Sequence, residues 1–142
     1  MAHTRLRKFN TRTTYPEQNL SNDLSQAVIA RGTHIFLRGQ CPQDLSTFEN
    51  IPSQSPVDQT HKVMQNIRQL VQEAGGRMEH VVKLVVYLTD VRHREAVYRT
   101  MGEYIEGVWP VCTGLVVVAL ARPEWVVEID ATAVIPDAKS RL

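Results

Sequence analysis

Four side chains of this sequence carry the chemistry of a site in settings that restrict where they point. Glu128 and Asp130 lie in the alternating run Trp125-Val126-Val127-Glu128-Ile129-Asp130-Ala131. Residues two apart in a strand project to the same side, so the carboxylates share one face. Cys112 follows Pro110 at the head of an apolar run, and Arg38 precedes Gly39-Gln40. A strand-borne carboxylate can orient or deprotonate water. A thiol can act as a nucleophile where an electropositive setting and a base activate it. A guanidinium can grip an anion through two parallel hydrogen bonds. Each also has a structural reading: Glu128 or Asp130 in an ion pair between subunits, Cys112 as a small buried hydrophobe, Arg38 in solvent or paired with a surface carboxylate. The spacing of Glu128 and Asp130 is by itself a weak sign of a catalytic pair.

Other chemistries lack their residues. The histidines at 3, 34, 61, 80 and 93 and the cysteines Cys41 and Cys112 form no zinc-type spacing, so no metal is expected. Gly75-Gly76 ends a helix instead of opening one, which leaves no phosphate loop and no expected cofactor. Sixteen Lys and Arg against fifteen Asp and Glu give a net charge of +1, hence no global field toward nucleic acid or an anionic membrane. The basic residues Arg5, Arg7, Lys8 and Arg12 could touch phosphates, but a solvated tail is the preferred reading. Trp109 and Trp125 read as packing residues before base-stacking ones. The apolar run Leu115 to Ala121 is far shorter than the roughly 20 residues of a membrane helix. A polar start at Met1-Ala2-His3 and two cysteines outside any C-x-x-C pattern point to a cytoplasmic setting with reduced thiols.

These side chains need a scaffold, and 142 residues argue for a single domain over 1–142, with an irregular or edge-strand arm over 1–23. Ala27–Ala30 and His34–Arg38 flank Arg31-Gly32-Thr33 and predict a β-hairpin. Residues 43–56 predict an exposed loop. Ser55-Pro56-Val57-Asp58 predicts a helix start, and Val63, Met64, Ile67, Leu70, Val71 and Ala74 form its apolar stripe up to Gly75-Gly76. His80 to Leu88 predicts a central strand covered on both faces. Asp90 predicts the cap of a second helix with Val97, Met101, Tyr104 and Ile105 inward. Thr113–Ala121 and Trp125–Ile135 predict two last strands, with Glu128 on an apolar face of the second. The result is an α+β fold, a mixed sheet with two helices packed on one face. Strands apolar on both faces leave the other face exposed, which predicts a homo-oligomer.

Ser25-Gln26-Ala27-Val28, Gly39-Gln40-Cys41-Pro42, Tyr87-Leu88-Thr89-Asp90, Pro110 before a strand and Val127-Glu128-Ile129-Asp130-Ala131 occur in this order. Together, over about residues 24 to 135, they resemble the reactive-intermediate deaminase (Rid) or YjgF-like family. The resemblance implies a chorismate-mutase-like α+β fold assembled as a homotrimer, with small-molecule clefts between subunits. It implies cofactor-free hydrolysis of imines and enamines such as 2-aminoacrylate to a 2-keto acid and ammonia. It also implies an arginine for the substrate carboxylate and a glutamate that places the attacking water. The glutamate position is Glu128. The arginine of the Pro-x-Arg-Ser pattern is replaced, since the chain reads Pro110-Val111-Cys112-Thr113. Leu24 stands in place of an aromatic residue, Arg38 in place of a small hydroxyl residue, and Tyr98 in place of an asparagine. The implied site is thus Glu128 as the catalytic residue, with Arg38, Cys112, Leu24, Tyr98 and Thr113 around the ligand.

A thiol cannot reproduce the bidentate grip of a guanidinium on a carboxylate. Arg38 is the candidate replacement, since it sits beside the matched Gly39-Gln40. The expected ligand is a small anionic or carbonyl-bearing metabolite. The alternatives are a non-catalytic, metabolite-binding or regulatory trimer and, further off, RNA binding or an endoribonuclease-like activity through the arm.

Overall fold

The computed structural model describes residues 3–137. Along the chain run β1 (Thr4–Leu6), β2 (Phe9–Asn10), α1 (Thr11–Thr14), β3 (Asp23–Leu24), β4 (Ala27–Ile29) and β5 (Gly32–Phe36). They are followed by α2 (Pro56–Glu73), β6 (Val81–Leu88), α3 (Arg94–Ile105), β7 (Val111–Val116) and β8 (Val127–Pro136). Met1, Ala2 and residues 138–142, placed by the sequence in the arm and at the end of the domain, lie outside the described residues.

The expected hairpin does not form. β4 pairs antiparallel with β1 of the arm, through Thr4↔Ile29 to Leu6↔Ala27, whereas β5 pairs antiparallel with β8 over five residues. The physical reason is competition for edges. β8 offers a longer partner than β4 can, and the arm is fastened where it can cover β4. The Arg5 guanidinium donates to the carbonyl oxygens of Val81 (3.2 Å), Trp109 (3.1 Å) and Glu79 (3.0 Å). Three carbonyls on one fork hold the arm in register. Its residues 3–23 therefore carry β1, β2 and α1, and β2 pairs with β3.

The main sheet has the order β5-β8-β6-β7. β8 runs antiparallel to β5 and β6, and β7 runs parallel to β6, so the sheet is mixed. α2 starts as its sequence predicts, with the Ser55 hydroxyl accepting from the Asp58 amide and Pro56 in the first turn. It buries Val63, Met64, Ile67 and Val71, and α3 buries Val97, Met101 and Ile105. Both pack on one face of the sheet, against Leu84, Val86 and Leu88 of β6 and Val127, Ile129, Ala131 and Ala133 of β8. Ala74 lies outside the stripe and is exposed. Asp90 caps a short 3-10 turn, Val91–His93, that leads into α3, instead of capping α3 itself.

The other face is half open. On β6, Lys83 is exposed and Val85 and Tyr87 are half-buried, so the continuous apolar run is fully covered on one side only. Phe36 on β5 is 79% exposed and Leu115 on β7 is 41% exposed. β7 is shorter than its apolar sequence, because its partner β6 ends at Leu88, opposite Val116. Beyond one bond from the Val117 amide to the Leu88 carbonyl (2.7 Å), residues 118–121 have no strand to pair with, and Val118 stands wholly in solvent.

Candidate functional site

Glu128 points to the open face, a correction to the apolar face its run predicts. The core side of β8 belongs to Val127, Ile129, Ala131 and Ala133, and the alternation turns Glu128, Asp130 and Thr132 the other way, all half-buried. Gly39 passes directly against the Glu128 carboxylate. A Cβ there would collide with Oε2 and come within 3.2 Å of Asp130 Oδ1, so the glycine lets the backbone approach with the carboxylate in this position. The segment is fixed by a two-way bridge, in which the Gln40 amide donates to the Ile129 carbonyl (2.8 Å) and the Ile129 amide donates back (3.1 Å). From α2, the Asn66 side-chain amide donates to the carbonyls of Cys41 (3.3 Å) and Gln43 (2.8 Å) and ties down the loop that follows.

The Cys41 thiol donates to Glu128 Oε1 at 3.4 Å. Burial first, then the Glu128 charge and hydrogen bond, push this thiol up to about 12, against a smaller opposite pull from Arg38. Cys41 thus stays protonated at neutral pH and serves the carboxylate as a donor. Beside it, the Tyr87 hydroxyl donates to Asp130 Oδ2 at 3.0 Å, and that bond raises the phenol above its ordinary range. Arg38 is exposed and lines a cavity of about 400 Å3 together with Phe36, Leu37, Cys41, Phe48 and Leu70. In the chain it directly precedes Gly39, whose backbone lies against the Glu128 carboxylate. Thr113, opposite Val85 in the register, also belongs to this face and is exposed.

Leu24, Tyr98 and Cys112 form a second group elsewhere. Cys112 pairs with Leu84, so it faces the helices, opposite to Glu128. Tyr98 on α3 is 5% exposed, and its hydroxyl reaches over Gly114, where a Cβ would collide with it. Leu24 is buried in the same core. The β3–β4 connection is held to the head of β7 by the Ser25 amide, which donates to the Pro110 carbonyl (3.0 Å), and the Ser25 hydroxyl, which donates to the Trp109 carbonyl (2.8 Å). Burial drives the Cys112 thiol up to about 11, although the Tyr98 hydroxyl and the Arg94 charge both favour the thiolate. A protonated, largely enclosed thiol is a poor nucleophile at neutral pH. The same burial raises the Tyr98 phenol.

In one chain, then, the six sequence-derived site residues divide between two faces of the sheet, Glu128, Arg38 and Thr113 on one and Leu24, Tyr98 and Cys112 on the other. Sequence reasoning placed Asp130 beside Glu128 but missed Cys41 and the Tyr87 hydroxyl that bonds Asp130, although Gly39-Gln40-Cys41 was a visible motif. It also missed Arg94, whose signal was its spacing of four before Tyr98. Among the described residues, no three His, Cys, Asp or Glu side chains converge to hold a metal ion, and no helix is long and apolar enough to cross a membrane.

The profile of a family described as Endoribonuclease L-PSP matches residues 17–135. The chain is 37% identical over 111 residues to Protein DfrA of Myxococcus xanthus, covering 78% of this chain and 83% of that protein. It is 33% identical over 112 residues to the RutC family protein slr0709 of Synechocystis, covering 79% and 85%. Among solved structures, YyfB of the conserved Rid protein family from Yersinia pestis superposes with a TM-score of 0.72 at 26% identity, over 95% of this chain and all of that one. With this match and the mixed α+β sheet, the chain belongs to the Endoribonuclease L-PSP family, the family of the YjgF, Rid and RutC proteins.

Proposed function

We propose that the protein is a Rid-type, cofactor-free hydrolase of small imine or enamine metabolites. Its clefts would form between copies of the chain in a homotrimer with the chorismate-mutase-like arrangement. The observation that carries this reading is Glu128, a half-buried carboxylate seated on Gly39 and given a hydrogen bond by the protonated Cys41 thiol. Such a group is oriented to take a proton from water. Water adds to the imine carbon, the carbinolamine collapses, and a 2-keto acid and ammonia leave. The split of the site residues over two faces supports assembly between copies, in which one chain supplies the Glu128 half and its neighbour the Leu24–Tyr98–Cys112 half. The exposed apolar side chains Phe36 and Leu115 of the open face are suited to that contact.

A non-catalytic, metabolite-binding role is the second reading, favoured by two observations. The space over Gly114 is filled by Tyr98, and Cys112 stands where an arginine would project. RNA binding through the arm has less support, although a solved Thermotoga maritima relative, 28% identical with a TM-score of 0.69, is described as an endoribonuclease. Arg5 is already bound to three carbonyls, and Lys8 lies 5.1 Å from the centre of the Trp109 ring.

The test is hydrolysis of freshly generated 2-iminopropanoate, followed with a semicarbazide trap, in wild type and Glu128→Gln. Turnover lost in a variant that keeps its oligomeric state is the expected result. An inactive wild type that still binds a small 2-keto acid would move the reading to the binding module.

A further inference from the structure

Phe48 breaks the local rule of its own turn. Residues 43–50 fold back on themselves, with Gln43 bridged to Asn50, and Phe48 sits at the reversal with φ 63°. That left-handed conformation suits glycine or asparagine and is costly for a bulky side chain. The turn is held all the same. The Phe48 amide donates to the Asp44 carbonyl (2.9 Å), the Asp44 amide to the Glu49 carbonyl (2.9 Å) and the Gln43 side-chain amide to the Phe48 carbonyl (2.9 Å). The Asp44 carboxylate accepts from the amides of Ser46 (2.8 Å) and Thr47 (2.9 Å). None of these bonds uses the ring, which is 61% exposed, lies outside the core and stacks on no other ring among the described residues. A costly residue that serves neither its turn nor the core is the kind of local conflict that marks a functional position.

The ring does border the cavity of about 400 Å3 beside Gly39. Phe48 and Leu45 line it from the turn, Phe36, Leu37 and Arg38 from the end of β5, and Leu70 from α2. A volume of this size lies in the range of small-molecule sites. All its walls come from one copy of the chain, so it is complete without a neighbour and does not rest on the hydrolase reading. Three polar side chains around it are already engaged, Gln43 and Asp44 in the turn and Asn66 on the carbonyls of Cys41 and Gln43. Arg38 is different, because its guanidinium makes no ion pair or hydrogen bond among the described residues. Two phenyl rings and a free guanidinium thus border one apolar cavity.

Rings pair with rings offset or edge-on, and a guanidinium is drawn to the negative face of an aromatic system. An aliphatic occupant would use the apolar walls but neither of these attractions, and a charged one would lose its hydration against those walls. We infer that this cavity is a binding site for a planar, uncharged aromatic molecule of about indole size, seated against Phe48 and Phe36 with Arg38 closing over its face. The competing occupant is a second copy of the chain. Phe36 also belongs to the open face, so the test leaves it in place.

The experiment is fluorine NMR titration of the intact protein with 5-fluoroindole, and with fluorocyclohexane as its saturated counterpart, in wild type, Phe48→Gly, Arg38→Gln and Leu70→Phe. The urea midpoint and the oligomeric state of each protein are measured alongside. Wild type is expected to bind 5-fluoroindole saturably, with a dissociation constant below about 1 mM, and fluorocyclohexane at least about tenfold more weakly. Phe48→Gly relieves the backbone, so its urea midpoint should equal or exceed that of wild type while affinity falls about tenfold with the lost ring. Arg38→Gln should weaken binding about two- to fivefold. Leu70→Phe fills the cavity from α2 and should abolish binding. Failure of wild type to bind, equal binding of the two probes, or unchanged affinity in Phe48→Gly overturns the assignment. So does a Phe48→Gly protein whose midpoint falls or whose oligomeric state changes, since the ring would then serve the fold or the contact between copies. Binding retained in Leu70→Phe overturns the placement in this cavity by itself.

Discussion

Gly39→Ala is the sharpest perturbation of the Glu128 group, because the atoms nearest the new methyl belong to the carboxylates of Glu128 and Asp130. Its Cβ would overlap Glu128 Oε2, lie 3.0 Å from Cδ of the same carboxylate and 3.2 Å from Asp130 Oδ1. Forcing a methyl into a rigid interior costs about 1–3 kcal/mol. Here the obstacle is the end of a half-buried side chain that can rotate away, so the stability loss should fall at or below the bottom of that range. The carboxylate, however, must move by about an ångström, enough to break its 3.4 Å contact with Cys41. A displacement of that size at a reacting group can cost on the order of 100-fold in rate. Urea unfolding and 2-iminopropanoate turnover should therefore separate, with a small shift in midpoint and a large fall in kcat. In a Glu128→Ala background the same glycine substitution should cost less stability, since its nearest obstacle is gone and only the 3.2 Å approach to Asp130 Oδ1 remains of the contacts named here. A Gly39→Ala protein with wild-type turnover, or one equally destabilised with and without Glu128, would refute the placement of the carboxylate.

Three further outcomes follow from the same structure. Ser55→Ala removes the hydroxyl that accepts from the Asp58 amide and should cost about 1 kcal/mol, read as a lower urea midpoint at unchanged m. The thiols of Cys41 and Cys112 have folded values of about 12 and about 11 against an ordinary 9.0, so above pH 9 the unfolded chain releases protons that the folded chain retains. The folded state then binds more protons, and stability must fall with rising pH over pH 9–11. Thermal scans of wild type and Cys112→Ala should diverge in that window, with the variant falling less, and parallel curves would contradict the burial of the thiol. Phe36→Glu places a charge on the open face and should dissociate the proposed homotrimer in light scattering while the monomer keeps its far-ultraviolet circular dichroism. An undisturbed oligomer would mean that Phe36 lies outside the contact.

Local signals were read well where one stretch of chain both carries and satisfies them. The start of α2 is such a case, since Ser55, Pro56 and Asp58 complete the cap among themselves. The hairpin over Ala27–Arg38 failed because a short glycine turn says only that the chain can reverse. Which edge each strand joins was settled by β1 and β8, far off in sequence. Residues 117–121 continue the apolar run of β7, yet β6 ends too early to pair with them. The site was legible to the same degree. Glu128 could be named from its motif, but its dependence on Cys41 and Gly39 joins positions almost ninety apart.

The sequence by itself determined the family, the mixed α+β class, both main helices and the alternation that puts Glu128 and Asp130 on one face, because each is written in residues a few positions apart. Only the tertiary structure decided which face the helices cover, and so which of Glu128 and Cys112 looks outward. The period of a strand gives two sides without saying which one is buried, and that choice belongs to the packing of the whole sheet. The same packing brings the Arg94 guanidinium over the Tyr98 ring, 4.3 Å from its centroid.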